Sequence, residues 1–301
     1  MVTSRQLLDE GMARLREAGL ETPRLDAELL LAHALRVDRT TVIAHPEALV
    51  GDGAIEAFRG TVERRASGEP VAYLRGVKEF HGIAFSVDTR ALIPRPETEL
   101  LVDLAIGEIM SRLTSGDRPP AAAALRVIDV GTGSGAVAVA VAVSLRSRRV
   151  PLDEVSMTAV DISPDALDLA RENAVSHAVG DRISFVFADL LPPTETRPWD
   201  IVLANLPYVR SSAMSALPAP TTYEPPLALD GGPDGLDVIG RLVDRLAVSL
   251  DHDGVALVEI GADQGEAIED LARRRLDGWR CQVIRDLAGL PRVARLDRAR
   301  A

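Results

Sequence analysis

Asp129-Val130-Gly131-Thr132-Gly133-Ser134-Gly135-Ala136 sets three glycines, two hydroxyls and an acid where an apolar run, Leu125 to Val130, gives way to a helical one. Glycines there accept positive φ and let a ligand approach bare backbone, and a helix start presents unpaired N–H groups. Cradling a cofactor is the chemistry this suits. Gly131, Gly133 and Ala136 also satisfy the G-x-G-x-x-G/A dinucleotide fingerprint, so the glycines alone leave nicotinamide cofactors and S-adenosylmethionine both open. Asp129 favours the second, because a carboxylate there attracts a cationic amino group and repels a pyrophosphate.

Asp161 ends the next apolar run, Val155 to Asp161, where a carboxylate can accept from both ribose hydroxyls. It lies 32 residues after Asp129, beyond the usual ~20, and we assign the excess to an insertion around Leu145 to Asp153. Asp189, after Ile183 to Phe187, is set to accept from an adenine amino group, with Leu190 packing on the ring. Asn205-Leu206-Pro207-Tyr208 follows Ile201 to Ala204 and brings a carboxamide, a rigid turn and an aromatic to the edge where open α/β sheets bind ligands. An amide nitrogen is a poor nucleophile, so methylating one demands tight positioning. The Asn205 side-chain oxygen and the Leu206 carbonyl are placed to accept its two N–H groups beside the cofactor, and Tyr208 to wall the substrate.

Three kinds of element must position these groups. From Ser4 to about Gly68 the apolar spacing is helical: Leu8, Met12 and Leu15, then Leu25, Leu29, Ala32 and Leu35, with Thr22-Pro23 suited to start the second helix. Short β-like runs, Gly76 to Phe80 and Ile83 to Val87, predict a hairpin. After Pro96, strands at Leu125 to Val130, Val155 to Asp161, Ile183 to Phe187, Ile201 to Ala204 and Val255 to Ile260 alternate with helices. These span Glu97 to Leu113, Ala136 to Leu145, Pro164 to His177, Asp234 to Leu250 and Gln264 to Arg275. Trp279 to Ile284 and Arg292 to Leu296 add two strands, completing a mainly parallel seven-stranded sheet covered on both faces. The stripe Leu236, Ile239, Val243, Leu246 and Leu250 is expected to pack on that sheet. Pro119 to Ala124 reads as a surface loop. The expected domains are 1–72, helical; 73–94, the hairpin linker; and 95–301, the cofactor-binding domain.

Composition narrows the classes. With 34 Lys and Arg against 45 Asp and Glu, the net charge of −11 disfavours generic polyanion binding. The helical region carries 9 basic and 12 acidic residues up to Ala72, so it is no electrostatic nucleic-acid arm. One cysteine, Cys281, excludes an intrachain disulfide and multi-cysteine metal sites. None of His33, His45, His81, His177 and His252 shows ligand spacing, so no metal is expected. The first residues lack a secretory pattern, and the run from Ala136 to Val143 is far short of a membrane span.

Beyond these local motifs, the chain resembles the protein-(glutamine-N5) methyltransferases that modify peptide-chain release factors. The resemblance runs through LDAELLLAHAL at Leu25 to Leu35, YLRGVKEFHGIAFSVDTRALIPRPETELLVD at Tyr73 to Asp103, DVGTGSG, AVDISPDAL, ANLPYV, EPPLALDGGPDGLD at Glu224 to Asp237 and DLAG at Asp286 to Gly289. It implies a Rossmann-like class I methyltransferase, preceded by a helical domain that helps to recognise the release factor. The implied activity is methylation of the glutamine in a Gly-Gly-Gln loop, by a cytoplasmic monomer. Gly131 to Gly135 and Asp161 would hold S-adenosylmethionine, Leu190 would lie near adenine, Asn205 to Tyr208 would hold the glutamine, and Arg95 and Glu97 would shape the methyl-transfer cleft. Leu206 departs from the family's usual Asn-Pro-Pro-Tyr but keeps the backbone carbonyl. The string Asn-Leu-Pro-Tyr is also similar to the motif of ribosomal RNA adenine dimethyltransferases. Adenine N6-methylation of RNA or DNA is therefore the alternative, and a non-catalytic cofactor-binding protein the third.

Overall fold

The computed structural model describes residues 2–115, 123–192 and 197–299. The loop expected at Pro119 to Ala124 lies, apart from its last two residues, outside them. The chain divides into two compact units, Met1–Val77 with Leu217–Tyr223, and Lys78–Ala216 with Glu224–Ala301.

The first unit is helical: α1 (Ser4–Glu17), α2 (Pro23–Leu35), α3 (Arg39–Ala44), α4 (Asp52–Ala66) and α5 (Val71–Arg75). A short antiparallel pair that helical periodicity does not signal, β1 (Val2–Thr3) with β2 (Leu49–Val50), ties the residues before α1 to the segment between α3 and α4. Its core is built by Leu7, Leu15, Leu30, Leu31, Phe58 and Val62, all buried. Gly11 lets Phe58 close on α1, since a Cβ there would stand 2.6 Å from the Phe58 ring. Thr22 caps nothing: its hydroxyl instead donates to Asp26 Oδ1 at 2.9 Å. Asp26 in turn pairs with the buried Arg65 at 2.7 Å, leaving neither charge alone in the core. Leu217–Tyr223, expected within the cofactor-binding domain, belongs to this unit; the Tyr223 hydroxyl donates to Ser67 O at 3.2 Å.

The second unit holds the hairpin of β3 (Val77–Phe80), all but its first residue, and β4 (Ile83–Ser86), then α6 (Glu99–Thr114). The alternation follows as β5 (Leu125–Val130), α7 (Ala136–Ser147), β6 (Val155–Asp161), α8 (Pro164–Ser176), β7 (Ile183–Phe187) and β8 (Trp199–Ala204). It closes with α9 (Asp237–Ser249), β9 (Leu250–Glu259), α10 (Gly265–Arg275), β10 (Trp279–Arg285) and β11 (Pro291–Arg298). The seven-stranded sheet runs β10-β11-β9-β8-β5-β6-β7, antiparallel only where β11 meets β10 and β9.

α7 shows why context outranks periodicity. Its Ala-Val alternation has the period of a strand, yet it follows a glycine turn, and residues 136–142 are all buried in a helix wrapped by protein. On α9, Ile239, Leu242, Val243 and Leu246 bury one face against the sheet, as the apolar stripe predicts. The helix starts at Asp237 rather than Asp234, because Gly235 takes φ +78° and Asp234 Oδ1 accepts from Leu236 N at 2.8 Å in a turn. Leu250 opens β9, whose first half the sequence pattern leaves out. Parallel connections leave β5 toward β6 on one side and meet β8 on the other, so the loops after β5 and β8 part at the carboxyl edge. Open α/β sheets form a crevice at such a switch point.

Candidate active site

That crevice is lined by Asp129, Gly131 to Ser134, Asp161, Asp189, Leu190, Asn205, Leu206, Pro207 and Arg95. Sequence-predicted residues from four strand ends therefore meet in one place. Gly135, Glu97 and Tyr208 do not line it. Gly135 serves packing instead, because at φ +79° it lies so close to α8 that a Cβ would stand 3.0 Å from Ala170 Cβ. Glu97 is exposed on the turn before α6. Tyr208, expected to wall the substrate, is directed inward; its hydroxyl reaches Glu259 Oε1 at 3.4 Å, and burial pushes its pKa up to about 12.

The glycine loop is held from three sides. Gly131 N and Thr132 N donate to Val160 O at 2.8 and 2.9 Å, and Gly133 N to Asp161 Oδ2 at 2.9 Å. The buried Asn173 on α8 donates to Ser134 O at 2.9 Å and also pairs with the Ser86 backbone, tying loop to hairpin. Asp129 Oδ2 accepts from the Thr132 hydroxyl at 2.7 Å and Ala138 N at 3.2 Å. These bonds favour its charged form, but burial outweighs them and pushes the Asp129 pKa up to about 6, with the Asp161 charge adding to the rise. Burial likewise holds Asp161 above the usual carboxylate range. A buried acid, Asp129, and a half-buried one, Asp161, neither in an ion pair among the described residues, stand beside a glycine cradle and fit a cofactor carrying positive charge; a pyrophosphate would add to the repulsion.

Asp189 departs from expectation. The carboxylate meant for an adenine amino group is engaged by Arg241, while Arg245 donates to Asp189 O at 2.8 Å. Leu190 beside it is buried, with φ +61°, a left-handed conformation that costs a residue with a side chain about 1 kcal/mol or more. Arg95 pairs not with Glu97 but with the buried Glu224, at 2.5 Å; Glu224 Oε2 also accepts from Ile93 N at 3.1 Å. No local signal marks Glu224 as a partner, since 129 positions separate it from Arg95.

The loop after β8 is clamped with little tolerance. Asn205 Nδ2 donates to the buried Thr98 hydroxyl at 3.0 Å, which fixes the carboxamide plane. Leu206 packs into the core, with its Cδ2 2.8 Å from where a Cβ on Gly131 would stand. Gln264 Nε2 donates to Tyr208 O at 3.0 Å and to Gly235 O at 3.2 Å. Thr98, Gln264, Gly231 and Gly235 are support residues that motif reading passes by, although Thr98 stands inside the Arg95 to Glu99 string.

Glu259, at the end of β9, is fully buried; burial pushes its pKa up to about 7. A carboxyl whose folded pKa exceeds its unfolded one stabilises the fold below the unfolded pKa, and that contribution disappears as pH rises through the folded value. The Glu259 contribution is therefore present below about 4.5 and gone above about 7. Relative to the wild type, Glu259→Gln should gain on the order of 3 kcal/mol between pH 4.5 and 8. Urea unfolding of both proteins across that range measures it; a constant difference would contradict the burial cost.

Cys281 is half-buried on β10, and burial raises its thiol to about 11, which leaves it protonated and unreactive at neutral pH. Among the described residues, no helix is long and apolar enough to cross a membrane.

Residues 6–76 match the PrmC N-terminal domain model, and residues 111–218 the Methyltransferase small domain model. Over 97% of its length the chain is 38% identical to 97% of the Release factor glutamine methyltransferase of Moorella thermoacetica. Over 99% of its length it is 38% identical to 97% of the protein of the same description from Rhodopirellula baltica. The hMettl16 catalytic domain in complex with MAT2A 3'UTR hairpin 6 is similar in fold alone, with a TM-score of 0.52 and 13% identity over 83% of this chain and 82% of that one.

Proposed function

The chain belongs to the release factor glutamine methyltransferase family, and from that premise we propose that it methylates the side-chain nitrogen of a release-factor glutamine, using S-adenosylmethionine held in the crevice at the carboxyl edge of the sheet. Its fold is the class I methyltransferase α/β fold. The observation that supports the reading best is the meeting of Asn205 and the Gly131 to Ser134 cradle in one crevice.

When bound, S-adenosylmethionine supplies a methyl carbon on a positively charged sulfur, which departs as a neutral thioether. The protein's part is to receive cationic groups and to aim an amide. Asp129 and Asp161 carry the negative charge, and Gly131, Thr132, Gly133 and Ser134 expose the backbone. Leu190, buried beside Asp189, supplies apolar surface for the adenine. The Asn205 Oδ1 and the Leu206 carbonyl accept the two amide N–H groups of the glutamine, direct its nitrogen and stabilise the positive charge that develops there, until one of the two protons is lost to solvent water and the N-methyl amide is neutral again. Arg95, anchored by Glu224, shapes the wall of the crevice, and Pro207 keeps the turn rigid. The helical unit contributes to release-factor recognition. The reading extends to a cytoplasmic monomer acting on protein rather than nucleic acid, and the net charge of −11 supports the last point.

Incubation of the purified protein with S-adenosylmethionine and an intact release factor should add about 14 Da to the glutamine of the Gly-Gly-Gln loop, read by peptide mass spectrometry. Labelled methyl appearing in RNA, with none in the release factor, would reject the reading.

A further inference from the structure

A polar chain leads from the crevice lining, at Asn205 and Thr98, to Glu259 and Tyr208 behind it. Ala204 on β8 is in register with Val258 on β9, so Asn205 and Glu259 follow side by side at the sheet edge. Thr98, 3% exposed, stands over both: its oxygen accepts from Asn205 Nδ2 at 3.0 Å, and its hydroxyl is near enough to Glu259 to favour the ionised carboxylate. Glu259 is 0% exposed, its Oε1 is reached by the Tyr208 hydroxyl only at 3.4 Å, and its Oε2 is buried without a partner. A buried carboxylate so poorly satisfied costs stability, and nothing in the fold of β9 requires one.

We propose that Glu259 is a positioning residue for methyl transfer, acting through the Thr98 hydroxyl to fix which way round the Asn205 carboxamide sits. The inference rests on the assignment of Asn205 as the group that grips the acceptor amide. Its logic is the direction of a proton. An ionised carboxylate only accepts, so it draws the single Thr98 proton toward itself and leaves the Thr98 oxygen to accept from Asn205 Nδ2. The planar carboxamide must then present Oδ1, the acceptor, on its other side. A protonated Glu259 can instead donate to Thr98, freeing the Thr98 proton to face Asn205. That arrangement favours a flipped carboxamide with a donor toward the substrate amide, where two acceptors are needed.

The groups facing Glu259 are few: Thr98 and Glu97 from the turn before α6, Tyr208 from the loop after β8 and Arg292 from β11. Glu97 raises its pKa and Arg292 lowers it, and the carboxyl titrates near neutrality. The orientation of Asn205 is therefore pH-dependent. Asp129, pushed up to about 6, lies at the cofactor cradle, so its protonation is read in the KM for S-adenosylmethionine rather than in kcat.

The test uses the full chain in three variants, Glu259→Gln, Thr98→Val and Thr98→Ser, with two readouts. The first, free of activity, follows the Asn205 side-chain amide in 1H–15N spectra from pH 5.5 to 8.5, assigned by its loss in Asn205→Ala. It should titrate with a midpoint near that of Glu259 in the wild type and stay flat in Glu259→Gln and Thr98→Val. The second is steady-state transfer to an intact release factor. Thr98→Val should lose ~10-fold or more in kcat with the KM for S-adenosylmethionine held. Thr98→Ser should recover most of that loss, and the acid limb of the wild-type kcat profile should vanish in Glu259→Gln. An Asn205 amide indifferent to pH and to both substitutions would overturn the proposal, as would a Glu259→Gln profile that keeps the acid limb. If the wild type fails to methylate the release factor, the functional reading falls, and the amide titration still decides whether Glu259 orients Asn205.

Discussion

Asn205→Ala should reduce methyl transfer to the release factor by about 10³-fold, with affinity for S-adenosylmethionine changed less than about tenfold, or ~1.4 kcal/mol. The asymmetry follows from where the residue sits. Its Nδ2 is committed to Thr98 and its carboxamide lines the crevice, so alanine removes an acceptor aimed at the substrate amide while the Gly131 to Ser134 cradle stays in place. Alanine also removes the donor from which the buried Thr98 oxygen accepts, a stability cost of about 1 kcal/mol that leaves the fold intact. Asn205→Asp is no rescue, because a second carboxylate beside the buried Glu259 would repel it and could not donate to Thr98. Single-turnover transfer and calorimetric cofactor binding separate the two effects. A variant that transfers methyl within a few-fold of the wild type would remove Asn205 from the chemistry.

Gly231→Ala should be nearly as damaging, although Gly231 does not line the crevice. A Cβ on Gly231 would stand 2.7 Å from Gly235 O, 2.7 Å from Pro207 O and 2.8 Å from Tyr208 Cα. All three are backbone atoms, so relief must come from moving the loop that carries the acceptor-gripping carbonyl. A displacement approaching 1 Å at a reacting geometry costs roughly 10²-fold in rate, and overpacking of this kind costs about 1 to 3 kcal/mol of stability. Gly107→Ala, in α6 where nothing lies within 4 Å, is the matched control. It should be neutral to stabilising by ~0.4 to 1 kcal/mol. Measuring kcat and cofactor affinity for both variants tests the point: equal kcat would mean that the loop after β8 yields without consequence for the chemistry.

Much of the frame was legible in the chain. β5, β6 and β7 occupy the spans that their apolar runs predict: β5 and β6 because a strand inside a parallel sheet is spelled by a short apolar run between turn residues, β7 although it is the half-exposed edge strand, with Phe187 63% exposed. The glycine loop was equally plain, since positive φ at Gly131, Gly133 and Gly135 is a demand that few other residues meet. Less legible were the ends of elements ruled by side-chain turns, such as the start of α9 after Asp234, and β1 with β2, two residues each and too short to show a period.

The chain by itself determined which chemical groups stand at the ends of the parallel strands, because a functional group and the turn that carries it are encoded within a few neighbouring residues. Tertiary structure decided who answers them. Arg95 found Glu224 instead of Glu97, Asp189 was taken by Arg241, Tyr208 turned inward to Glu259, and Thr98 became the partner of Asn205. Water exclusion and partner choice set a carboxylate's acidity and an amide's direction, and both depend on segments brought together from 51 to 129 positions away, where local sequence carries no record of them.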